Sequence, residues 1–184
     1  MPSTIVSLPS LAMAAVVFVA LIVTIAANKL WSLEFFHVVG GAVWTVLDLF
    51  MGLVLGPILG TMSIPSRLEL TRRLMPKIAV ILPVAVTCSL AAGWQLGRYM
   101  GTIDSGSIYH GWIVASYIVV GVLVVIALGI LEPANIAVLF ELRKPEPNGL
   151  VIAKLMKRFI YVSGISGVMQ VATLVIMTKV ASGG

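Results

Sequence analysis

The chain has 184 residues, 60% of them apolar and only 10% charged, with a formal net charge of +5 and a mean hydropathy of +1.11. A water-facing domain of this size carries roughly 25% charged residues, so composition excludes a soluble globular protein and predicts an all-α integral membrane protein. The basic balance does not read as nucleic-acid binding, because Lys and Arg cluster in two short loops between apolar runs, which is the pattern of membrane topology. The single Cys88 excludes an internal disulfide and a cysteine-based metal motif; inside an apolar run it reads as a small buried hydrophobe.

Five runs reach the ~20 predominantly apolar residues that cross a bilayer, over residues 10–28, 33–61, 76–99, 110–140 and 157–180. The first lacks the basic start of a secretory signal, and Ile25-Ala26-Ala27 is a poor cleavage site, so it is expected to persist as a helix. The second belongs to the long apolar stretch from Trp31 to Met62 and carries Glu34, His37 and Asp48, with Pro57 expected to kink or end it. The third has Pro76 at its start and Pro83 inside. The fourth continues through Glu132-Pro133 to Phe140, and the fifth centres on Phe159–Thr178. Helices 2–5 are expected to form a four-helix core. Gly52, Gly56 and Gly60 on helix 2, and Gly93, Gly97 and Gly101 on helix 3, are spaced for close helix approach. Packing within one bundle is the expected use, with a homodimer seam as the lesser alternative.

Orientation follows from the basic residues. Arg67, Arg72, Arg73 and Lys77 fall between helices 2 and 3, and Arg143, Lys144, Lys154, Lys157 and Arg158 between helices 4 and 5, which is nine of the twelve Lys and Arg residues. Cytoplasmic loops hold that excess, so the N-terminus is expected inside and the C-terminus outside. Trp31, Trp94, Tyr99, Tyr109 and Trp112 are then expected as an outer aromatic belt, and Phe140, Phe159 and Tyr161 as the inner boundary.

A charged side chain in hydrocarbon costs at least ~2.5–3.5 kcal/mol, so intramembrane ionisable residues face a bundle interior, a cavity or a ligand. At 100° per residue, Glu34, His37, Gly41, Trp44, Asp48 and Gly52 share one side of helix 2. Helices 2 and 4 run in the same direction, which places His37 and His110 at similar depth near the outer face. Neutral imidazoles are the commonest metal ligands, and bundle cores build sites from facing helices. Two readings follow: a two-histidine site for the iron of haem b, or a Glu34-His37-His110 site for copper or another divalent metal. The bland alternative is an interfacial histidine bonded to water or headgroups. Asp48 lies about 16 Å along the axis from His37; it is expected either protonated and hydrogen-bonded or facing water or a cofactor. A proton path from Glu132 through Asp48 towards His37 can also be drawn.

The string His37-Val38-Val39-Gly40-Gly41-Ala42-Val43-Trp44 resembles the first core helix of a superfamily that includes the copper-resistance protein D membrane domain and the four-helix membrane protoporphyrinogen oxidase. The resemblance covers helices 2–5 and implies that His37 is a haem-iron ligand, with Trp44 beside it. Two departures matter. No lysine lies between Gly111 and Phe140, where the oxidase carries one, and Thr45-Val46-Leu47-Asp48 stand where relatives have glycines. The expected function is therefore an electron-transfer or accessory subunit of a respiratory or oxidase complex in a prokaryotic plasma membrane. A non-catalytic structural subunit is the alternative, and an ion or metabolite permease the third. Expected partners are the lipid bilayer and other membrane subunits or a second copy. With Cys88 replaced, a cysteine at Ser105 should be labelled by a membrane-impermeant maleimide in intact cells, and one at Asn148 should not; the reverse pattern would invert the topology.

Overall fold

Five helices are long and apolar enough to cross a membrane: α1 (Leu8–Ala27), α2 (Leu30–Thr61), α3 (Ile64–Met100), α4 (His110–Leu142) and α5 (Gly149–Ala181). They come from a computed structural model that describes residues 6–183, and no strand occurs among the described residues.

The starts of α1, α3 and α5 lie where side-chain caps put them, and those of α3 and α5 fall two turns or more before the apolar runs. Helix α3 begins at Ile64 rather than Pro76, because Ser63 caps it: its hydroxyl accepts the Ser66 N–H at 3.4 Å, and Pro65 occupies the first turn, where no N–H is missed. The same Ser-x-Pro-Ser arrangement starts α1, with Ser7 accepting from the Ser10 N–H at 3.3 Å. Helix α5 begins at Gly149, capped by Asn148, whose side-chain oxygen accepts from Leu150 and Val151 at 3.0 and 3.2 Å. Arg67, Arg72, Arg73, Lys154, Lys157 and Arg158 therefore ride on helical extensions rather than loops. At 37 residues, α3 is about 55 Å long, well beyond a ~30 Å hydrocarbon core.

Prolines are absorbed without ending a helix. Pro57 and Pro133 each follow a π-helical segment, Phe50–Leu55 in α2 and Ala127–Leu131 in α4. The wider π turn relieves the clash and the missing N–H that a proline imposes. Pro57 thus leaves α2 running to Thr61, and Pro76 and Pro83 both lie within α3.

Helices α2–α5 form the expected four-helix core, with α1 outside it, packed on α3 through Leu21, Cys88 and Ala92. Helix α2 packs against α3 and α5. Helix α4 closes the bundle on α5, and meets α3 through the Trp94–Tyr117 ring contact before its π turn and through the half that follows it. Helices α2 and α4 are diagonal neighbours. Phe159, expected at the membrane boundary, is 1% exposed and belongs to the core with Met51, Met75 and Val138; the α5 face carrying it turns towards the bundle.

Two glycine contacts set the α2 seams. A Cβ on Gly40 would stand 2.8 Å from the Ala85 carbonyl oxygen and the Ser89 nitrogen, so α2 meets α3 backbone to backbone there. A Cβ on Gly52 would stand 2.2 Å from the Gly164 Cα of α5, whereas at Gly60 nothing lies within 4 Å. Gly52→Ala is expected to lower stability by about 1–3 kcal/mol through overpacking. Gly60→Ala should be neutral or gain up to about 1 kcal/mol of helix propensity. Thermal unfolding in detergent, followed by circular dichroism, distinguishes the two; equal melting of both variants would contradict the Gly52–Gly164 contact.

Candidate functional site

Asp48 is 0% exposed, near the middle of α2. Three donors on one face of α5 converge on its carboxyl group. The Ser163 hydroxyl donates to Oδ1 at 2.5 Å, the Ser166 hydroxyl to Oδ2 at 2.9 Å, and Gln170 Nε2 to Oδ2 at 2.7 Å. Ser163, Ser166 and Gln170 are buried at i, i+3 and i+7, one stripe of α5. Gly164 and Gly167 lie between them and remove the side chains that would hold the helices apart: a Cβ on Gly167 would meet the Leu49 nitrogen at 2.8 Å. Of the two environments expected for Asp48, the hydrogen-bonded one is what the fold supplies. On the same helix, Gln170 Oε1 and Thr173 Oγ1 are buried without a partner.

His37 is half-buried and turned towards α3. Its Nδ1 lies 2.8 Å from the Ser89 carbonyl oxygen. A carbonyl only accepts, so Nδ1 carries the proton, and in the neutral ring Nε2 keeps its lone pair. The Ser89 hydroxyl returns a bond to the His37 carbonyl at 3.2 Å. Gly93 makes room for the ring, since a Cβ there would stand 2.4 Å from Nδ1.

The other predicted residues go elsewhere. His110 is half-buried at the start of α4, and its Nδ1 donates to the Ile103 carbonyl at 3.2 Å, closing the turn between α3 and α4. Glu34 is exposed. Trp44 is buried one turn from Asp48, in the main core. Glu132 is half-buried at the end of the π segment of α4, and the hydrogen bonds of Asp48 all run to α5, so they do not join Glu132 or His37. The α2 stripe thus divides between two neighbours, with His37 and Gly41 on α3 and Asp48 and Gly52 on α5. Among the described residues, no three His, Cys, Asp or Glu side chains stand together to hold a metal. Glu34, His37 and His110 are therefore not gathered into one metal site, because α2 and α4 are diagonal and each imidazole is turned to a different backbone carbonyl.

Ser163, Ser166 and Gln170 were not among the residues singled out from sequence. Their signal is weak but present: three polar residues at helical spacing, at the depth of Asp48 on a helix otherwise rich in Val, Ile and Met. No protein-family model, curated protein or solved structure matches the chain.

The carboxyl cluster makes a stability prediction. Asp48→Leu removes the acceptor of the Ser163 and Ser166 hydroxyls and leaves Gln170 Nε2 only its 3.3 Å bond to Ser166 Oγ, and an unmade bond at a buried group costs about 1–3 kcal/mol. Asp48→Asn retains an acceptor oxygen, and interhelical bonds in membranes average only ~0.6 kcal/mol, so it should melt closer to the wild type. Detergent melting curves check the order; an Asp48→Leu protein as stable as wild type would remove the cluster from the account of folding.

Proposed function

We propose that the protein is a membrane-embedded accessory subunit that binds haem b through His37, near the outer face of a prokaryotic plasma membrane, with its N-terminus inside. The observation that carries this reading is the bond from His37 Nδ1 to the Ser89 carbonyl. Histidines that ligate metals characteristically donate their other N–H to a backbone carbonyl or carboxylate, which fixes the ring and leaves one nitrogen for the metal. Gly93 supports the same role by admitting the ring against α3. The resemblance of the His37–Trp44 string to haem-binding membrane proteins points the same way.

Of the two histidines, His37 alone would hold the haem iron. His110 stands on the diagonal helix and is tied to Ile103, so no role as second ligand is assigned to it. Bound haem would supply a one-electron couple. The chain's own contribution is to hold the imidazole: Ser89 orients the ring, Gly93 gives it space, and the hydrocarbon-facing surface of the bundle seats the subunit in the bilayer.

A second reading, a structural subunit without a cofactor, is favoured by the Asp48 cluster, whose donors are spent on joining α2 to α5. Absorption spectra of the protein purified from native membranes separate the two. The haem reading expects a Soret band that is lost in His37→Ala, strongly reduced in Gly93→Ala and retained in His110→Ala. A wild-type preparation free of haem, co-purifying in fixed ratio with another membrane subunit, would replace it with the structural reading.

A further inference from the structure

At the end of the bundle away from His37, α2 and α5 diverge. Their closest approach is the Gly52–Gly164 contact; one turn on, the space at Gly56 is taken by an Ile160 methyl, and at Gly60 it is open. The wedge between them is a groove of about 1120 Å³, floored by the first turns of α3. That exceeds the ~300–1,000 Å³ of ordinary small-molecule pockets. Its walls are apolar, with Leu53, Pro57, Ile64, Leu68, Ile165 and Val168 among them. On its floor, Thr71 has a buried hydroxyl without a protein partner.

The rim of this groove is basic. Arg67, Lys154 and Lys157 line it, and a shallower hollow of about 440 Å³ beside it is lined by Lys154, Lys157, Arg158 and Tyr161. No acidic residue lines either one. Arg67 is partly committed, donating to the Gly60 and Met62 carbonyls at 2.9 Å each, where it caps the C-terminal end of α2. The ion pairs among the described residues are Arg73–Glu69 and Lys144–Glu141, so Lys154, Lys157 and Arg158 are not neutralised by them. An apolar cleft open to hydrocarbon is filled by acyl chains, and cations at its mouth select for the charge of the headgroup.

We infer that this groove is a binding site for an anionic phospholipid of the surrounding bilayer, with an acyl chain in the α2–α5 wedge and the phosphate headgroup at Lys154, Lys157 and Arg158. The charge complementarity is local, and basic pockets between transmembrane helices bind anionic headgroups in this way. The inference is independent of any cofactor, because His37 lies at the opposite end of α2.

The test uses the full-length protein in detergent, with phosphatidylglycerol or phosphatidylcholine of identical chains added, and reads retained lipid by native mass spectrometry. Wild type is expected to retain phosphatidylglycerol over phosphatidylcholine by about tenfold or more, given three cations at the interface. The Lys154→Gln/Lys157→Gln/Arg158→Gln variant should lose that preference while melting as the wild type does without lipid. Gly60→Leu, which projects into open space, should lower retention of both lipids. An Arg72→Gln/Lys77→Gln variant, with charge removed elsewhere at the same end, should keep the preference. Equal retention of the two lipids by wild type would overturn the site. So would a preference that survives the triple substitution, or one lost equally in the Arg72/Lys77 variant, since that would mean unspecific surface attraction.

Discussion

A carboxyl group in the middle of a membrane-spanning helix has to find its hydrogen-bond donors on a neighbouring helix, because lipid offers none. Asp48 finds three, all on α5. That requirement fixes both the rotation of α2 about its axis and the register of α5 against it. It also explains the glycines that flank the cluster. Serine side chains are short, so the Ser163 and Ser166 hydroxyls reach the carboxyl group only if the backbones come close, and Gly52, Gly164 and Gly167 permit that approach. The polar contact and the small-residue contact are one seam, each depending on the other.

A second seam, on the adjoining face of α2, is built with different chemistry. Gly40 lets the α2 and α3 backbones touch, and the exchange between His37 and Ser89 lies one turn away. The glycine series of α3 serves separate ends: Gly93 admits the His37 ring, Gly97 faces Ile103 and Thr102 of the following turn, and Gly101 takes φ +66 to end the helix. Glycine spacing of the kind that marks a helix–helix interface is thus divided here among an imidazole, a turn and a cap.

The two ends of the molecule differ in consequence. At the His37 end, α2 is held to α3 by backbone approach and reciprocal hydrogen bonds. At the basic end, beyond the π segment and Pro57, α2 parts from α5 and leaves the wedge at Gly60. A π segment followed by proline changes a helix's direction without exposing its backbone groups, which hydrocarbon would not tolerate. Helix α4 uses the same device at Ala127–Leu131 and Pro133; before it α4 meets α3 through the Trp94–Tyr117 rings, and beyond it the two helices pack more extensively.

The amino-acid sequence determined the class of this protein, because bilayer thickness converts directly into a length of apolar chain: five such runs became five helices, with α2–α5 as the core. It also marked Asp48 as a residue needing partners, since burial of a carboxyl group in hydrocarbon is costly wherever it occurs. Tertiary structure alone decided which partners. A period of 3.6 residues places Glu34, His37, Trp44 and Asp48 on one side of α2, but it does not say that this side spans two seams, so that His37 turns to α3 and Asp48 to α5. The shared direction of α2 and α4 was likewise legible, whereas the diagonal placement of these helices was not. Direction follows from counting spans along the chain, while adjacency follows from which helix faces can approach, and that is settled by glycines and hydrogen bonds far apart in the chain.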